Sequence, residues 1–212
     1  VSGRERRALA VLVGGLAVAD VARSAVVPQR WHLPFNLALG GFAVAVGRWG
    51  GLSVDELGCS PARARDGLVL GGKVFVGISA LVAVAAVAGA LEDDRTAGLS
   101  AGEAALRALV VIPAGTVVVE ELIFRGALQG LLERVTTPGR ALGAGAVLFG
   151  AWHLPPIWSN GALELVGTFV ATTAAGVGFS WLRRRSGSVL APMLAHLGTN
   201  SSTFALSWVA SR

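Results

Sequence analysis

Seven apolar runs, separated by short polar connections, set the terms for this chain. They cover residues 8–22, 33–47, 67–90, about 100–135, 141–153, 162–182 and 189–209. A helix needs ~20 residues to cross a hydrocarbon core. Several runs are shorter than that, so seven spans is the direct reading and six to eight the range. Charged residues make up only 15% of the 212, against about 25% in an ordinary globular domain. Too little charge is left to coat a soluble core. The runs do not alternate with period two, which excludes a transmembrane barrel. The expected fold is all-α, a polytopic transmembrane helical bundle, with 1–212 as one integral-membrane domain.

The net charge of +5 suggests nucleic acid at first sight. The placement of the Arg residues gives a different reason. With the N-terminus inside, the inner segments carry Arg4, Arg6, Arg7, Arg48, Arg63, Arg65, Arg134, Arg140, Arg183, Arg184 and Arg185. The outer ones carry Arg23, Arg30, Arg95 and Arg212, and Glu92, Asp93 and Asp94 outweigh Arg95. This asymmetry is that of a membrane protein with basic cytoplasmic connections, and no nucleic-acid partner follows from it. Residues 1–22 read as an uncleaved first span rather than a signal peptide. Trp31, Trp49, Trp158, Trp181 and Trp208 fall near span ends, where amphipathic rings settle; Trp152 is the exception, beside a His. Ser53 and Glu56 form a capping-box pattern, so a short interfacial helix is expected between 48 and 66.

The chemistry is concentrated in three short segments. Glu120 and Glu121 follow the uncharged run 108–119. A carboxylate in lipid is costly and is a functional candidate by default. On a helix Glu121 and Arg125 are i,i+4 partners, and Glu120 points about 100° away. Arg125 therefore neutralises Glu121 and leaves Glu120 for another task; a purely structural ion-pair network is the competing reading. The second segment is Phe149-Gly-Ala-Trp-His153, stopped by Pro155 and Pro156. The third is His196-Leu-Gly-Thr-Asn200, whose ends share a helical face. Glu120 and His153 lie about 24 and 21 Å from the intervening turn at 1.5 Å per residue. Antiparallel neighbours would hold them at one depth, and a Pro192 irregularity would help to bring in His196 and Asn200.

These residues resemble the CAAX-protease and bacteriocin-processing family of intramembrane proteases, also called the Abi or type II CAAX prenyl endopeptidase group. Its motifs Glu-Glu-x-x-x-Arg, Phe-x-x-x-His and His-x-x-x-Asn/Asp read here as EELIFR, FGAWH and HLGTN, in the same order. The motif-bearing core is about 100–210. The resemblance implies an endopeptidase that cuts a membrane-associated protein or peptide in a cavity open to the cytoplasmic side. It implies Glu120 as general base and His153 as a holder of the water. His196 and Asn200 would stabilise the oxyanion, with Glu121, Arg125 and Phe149 in support. The family is often called metalloprotease, and Glu120, His153 and His196 form a chemically reasonable Zn2+ set. A metal-free, Glu-activated water is the equal alternative, because no His-Glu-x-x-His pattern is present and Asn is a poor zinc ligand.

Two other classes compete. A proton-coupled transporter would also place Glu and His in the membrane, but it favours internal repeats, and none stands out. A non-catalytic scaffold that binds a partner membrane protein would not need every motif residue. The Ala-, Gly-, Val- and Arg-rich composition is that of a high-GC bacterial gene, which points to a bacterial cytoplasmic membrane.

Overall fold

The computed structural model describes residues 3–91 and 96–212, and within them the chain is helical with no strand. Seven helices follow one another. They are α1 (Gly3–Ala25), α2 (His32–Trp49), α3 (Ala64–Val87), α4 (101–135), α5 (Pro138–Trp152), α6 (Ala162–Ser186) and α7 (Leu190–Ala210). Each coincides with one apolar run. Among the described residues three segments, Gly3–Ala25, Pro61–Val87 and Ala162–Ser186, are long and apolar enough to cross a membrane. This is an integral membrane protein with an all-α bundle fold. The acidic cluster Glu92, Asp93 and Asp94, with Arg95, lies outside the described residues.

The ends of the helices follow from local chemistry. Ser100 caps α4, accepting from the Glu103 N–H at 3.3 Å while its own N–H donates to the Glu103 carboxylate at 2.9 Å. Pro138 opens α5, where a missing N–H costs nothing. α6 ends at Gly187, whose φ of +70° suits a residue without Cβ, and its N–H donates to the Arg183 carbonyl. Pro192 lies in the first turn of α7, so it introduces no irregularity there.

α4 departs from a plain α-helix. Its turns are π-wound over Arg107–Val111, Pro113–Val118 and Leu122–Leu128. Pro113 lacks the N–H that an α-turn would use, and widened turns cluster at functional sites. This helix is also the centre of the bundle: Ile123, Leu128 and Leu131 are fully buried with Leu12 of α1 and Leu52 of the following connection.

Small residues set the close helix pairs, as expected where lipid supplies no hydrophobic force between helices. α3 lies along α7 at Gly71, where a Cβ would come 2.8 Å from the Ala191 backbone. α5 meets α6 at Gly176, where a Cβ would come 3.0 Å from Ala146 Cα.

One end of the bundle is tied by arginines. Arg134 donates to Glu56 at 2.6 Å, to Glu5 at 3.0 Å and to the Gly51 carbonyl at 3.1 Å. Arg183 donates to the carbonyls of Asp55 and Glu56 at 3.1 and 2.9 Å. The Arg134 guanidinium holds the Glu56 carboxyl well below its usual range, at about 2. The Ser53–Glu56 capping bonds form, at 2.8 and 3.1 Å. The expected interfacial helix does not follow them: 54–58 is a turn, because Arg134 and Arg183 take up Glu56 and its neighbouring carbonyls.

Candidate functional site

The long central helix brings both carboxylates into the bundle interior. Glu121 is 0% exposed and Arg125, one turn on, is 1% exposed. Arg125 Nη1 donates to Glu121 Oε1 at 3.1 Å. Its guanidinium is further enclosed by aromatic rings, 4.1 Å from the Phe149 centroid and 5.1 Å from that of Phe179. A desolvated guanidinium between ring faces gains cation–π attraction that a hydrated one does not. Its Nη2 reaches the Gly176 carbonyl of α6 at 3.4 Å. The ion pair therefore ties α4 to α5 and α6.

From α7, His196 enters the same cluster. Its Nδ1 lies 2.9 Å from Glu121 Oε1. An ionised carboxylate only accepts, so Nδ1 carries the proton and donates. The ring stacks on Phe179 at 5.0 Å and meets Phe149 edge-on at 6.0 Å. His196 Nε2 then faces two groups, the Asn200 amide nitrogen at 3.2 Å and Glu120 Oε2 at 3.9 Å.

Glu120 takes a different partner from its neighbour. Its Oε1 accepts from the indole N–H of Trp152 at 3.1 Å. Its Oε2 is buried and has no hydrogen-bond partner among the described residues. The pair of adjacent acids is thus divided. Glu121 is held by a guanidinium and an imidazole, and Glu120 keeps one oxygen uncommitted opposite His196.

His153 stands apart from this group. It caps the end of α5, half-buried, with Nδ1 2.8 Å from the Phe149 carbonyl and its ring 4.6 Å from that of Phe149. Among the described residues its contacts go to Phe149 rather than to Glu120. Trp152, the residue before His153, is the one that reaches Glu120. One residue along a helix is a rotation of about 100°, and that rotation aims Trp152 at Glu120.

No group of three His, Cys, Asp or Glu side chains among the described residues is gathered so as to hold a metal ion. The expected trio Glu120, His153 and His196 is not assembled as ligands. His196 Nδ1 donates to Glu121, its Nε2 lies 3.2 Å from the Asn200 amide nitrogen, and His153 Nδ1 lies against the Phe149 carbonyl.

Trp152, Phe179 and the pair Asp20–Arg23 were not singled out by the sequence motifs. Asp20 of α1 is buried and accepts from Arg23 at 2.8 Å, and the Arg23 guanidinium lies 5.2 Å over the Trp152 ring. One signal was present for Trp152, the Trp away from a span end. An acid inside the first apolar run was the signal for Asp20. An apolar cavity of about 210 Å³ borders Trp152, lined by Leu16, Asp20, Val21, Phe124, Trp152 and Pro155 among others.

Residues 102–202 match the family model described as type II CAAX prenyl endopeptidase Rce1-like. This part of the chain belongs to that family. The match holds all three motifs and the whole Glu120–His196–Asn200 cluster. At the family level this match supports a CAAX-type intramembrane protease. No curated protein and no solved structure matches the chain.

Proposed function

We propose that this protein is an endopeptidase that hydrolyses a peptide bond of a membrane-associated protein or peptide with a water activated by Glu120. One observation carries the reading. Glu120 anchors one carboxylate oxygen on Trp152 and leaves the other uncommitted, 3.9 Å from His196 Nε2.

In the proposed step, Glu120 Oε2 takes a proton from water as the oxygen attacks the scissile carbonyl carbon. The carbonyl oxygen gains negative charge and is met by the Asn200 amide N–H. His196 joins as a second donor from Nε2 when its ring is protonated, with Nδ1 still held by Glu121. A donor aimed at a developing oxyanion is worth roughly 3–4 kcal/mol. Glu120 then gives its proton to the leaving amine, the C–N bond breaks, and the carboxylate is regenerated. Glu121 and Arg125 act as positioning residues through His196. His153, with Phe149, borders the α5 end of the site, where it can hold the water or the substrate backbone. The apolar cavity beside Trp152 suits an apolar side chain of the substrate.

The Arg-rich end of the bundle supports a cytoplasmic N-terminus, with the site opening to that side of a bacterial membrane. The motif-bearing core and the N-terminal helices act as one domain in this reading. The test is cleavage of a fluorogenic peptide library by the purified full chain and by Glu120→Gln, each with and without a chelator. Turnover by the wild type alone, insensitive to the chelator, supports the proposal. Activity that survives Glu120→Gln overturns it, and activity abolished by the chelator and restored by Zn2+ overturns the metal-free step.

A further inference from the structure

A second cavity, of about 580 Å³, opens where the start of α3 meets the end of α6, on the Arg-rich end of the bundle. Five cations line it, Arg63, Arg65, Lys73, Arg184 and Arg185, against one acid, Asp66. Neutralisation within the protein is slight. Arg63 and Asp66 are 3.7 Å apart and both more than half exposed, and Arg184 is 3.7 Å from Glu133. Arg65, Lys73 and Arg185 are exposed and make no ion pair or hydrogen bond among the described residues.

Topology alone does not account for this arrangement. Basic residues that only orient a membrane protein can lie anywhere on the connections near its span ends. Here they converge on a hollow. Lys73 lies nine residues, about 13 Å, into α3, where an unpartnered ammonium is expensive and its stem must reach back towards the headgroup level. The other walls are those of a lipid site: Val69 and Leu70 of α3 and the exposed indole of Trp181. An occupant with a negative headgroup and apolar chains meets both kinds of wall at once.

We infer that this cavity binds the phosphate headgroup of an anionic phospholipid, phosphatidylglycerol being the simplest, with its acyl chains along the outer face of α3. The site is separate from the Glu120 cluster and does not depend on the proposed hydrolysis. Phosphate oxygens accept from several guanidinium groups at once, which suits Arg over a point charge. The lipid would also clamp the start of α3 to the end of α6.

The test uses the full chain in mild detergent and native mass spectrometry with added phosphatidylglycerol. Arg65→Gln/Arg185→Gln is compared with Arg6→Gln/Arg7→Gln, a charge-matched pair elsewhere on the chain. A cation near a membrane surface is worth about fivefold in affinity, so the cavity pair should weaken phosphatidylglycerol binding roughly thirtyfold. The control pair should leave it within a few-fold. Lys73→Gln, a single change, should weaken it about fivefold and serves if the double variant does not fold. Phosphatidylcholine should not substitute, and excess inorganic phosphate should not strip the lipid. Equal loss in the control pair, equal binding of phosphatidylcholine, or displacement by inorganic phosphate would each overturn the inference.

Discussion

His196 Nδ1 donates to Glu121 Oε1 at 2.9 Å, the same oxygen that accepts from Arg125 at 3.1 Å. One carboxylate oxygen thus joins α4 to α7 and fixes the tautomer of His196. Neutral His196 is left with its Nε2 lone pair turned towards the Asn200 amide and Glu120. The two adjacent acids therefore have different dependents, and their loss has different consequences.

Glu121→Gln should destabilise the protein. It leaves Arg125 charged without a counter-ion in a fully buried site, and only a neutral amide oxygen remains to accept from Arg125 and His196. Removing one partner of a buried pair costs about 3–5 kcal/mol. Glu120→Gln removes no salt bridge to Arg125, so it should lower turnover roughly 10²–10⁴-fold, the usual worth of a general base, with little change in melting temperature. Thermal unfolding in detergent and peptide-cleavage assays on both variants separate the two. Equal destabilisation would show that the division of labour is wrong.

Trp152→Phe keeps a ring in the α5 wall and deletes the N–H that holds Glu120 at 3.1 Å. A hydrogen bond to a charged group is worth about 1.5–3 kcal/mol, so kcat/KM should fall roughly ten- to hundredfold. An unchanged rate would mean that Trp152 is only packing.

Asn200→Ala should lower kcat by roughly 10²–10³-fold with KM little affected, if its amide meets the oxyanion. A variant that raises KM and spares kcat would place Asn200 in substrate binding instead.

The fold was legible because apolar runs and helices are the same objects in this chain. Every run became a helix, and the polar stretch between the second and third runs and the turn at Thr136-Thr137 became connections. The Glu121–Arg125 pair was legible because it is local, four residues along one helix. The partner of Glu120 was not. It depends on how α5 is rotated against α4, and a shift of one residue exchanges Trp152 for His153. The π-wound turns of α4 were hidden as well, since Pro113 marks a disturbance but not its extent. Asp20 passes unnoticed in an apolar run because its partner Arg23 lies just beyond that run and meets a ring from another helix.

Acid should loosen the tied end of the bundle. Hydrogen bonding to Arg134 lowers the Glu56 carboxyl from an ordinary 4.5 to about 2. A depressed carboxyl pKa stabilises the fold above the unfolded value and ceases to do so as pH falls through the folded one. The contribution is therefore present above about pH 4.5 and lost by about pH 2. Melting temperature should fall across that window in the wild type and fall less in Glu56→Gln. Parallel curves for the two proteins would remove Glu56 from the account.

The two ends of the bundle should face opposite sides of the membrane. α3 starts beside the arginine network, where Arg63 lies against Gly187, and runs away from it to Val87. α6 runs the other way and brings Arg183 and Arg184 back to that network, where they meet Asp55, Glu56 and Pro138. Ala88 and Arg184 therefore lie at opposite ends, and both are exposed. With basic connections retained in the cytoplasm, Arg184→Cys in a Cys59→Ser background should resist a membrane-impermeant thiol reagent in intact cells. It should react once the cells are opened. Ala88→Cys should react in both conditions. Labelling of Arg184→Cys alone in intact cells would invert the orientation and turn the site towards the outer face, while labelling of both on one side would show that α3 does not span.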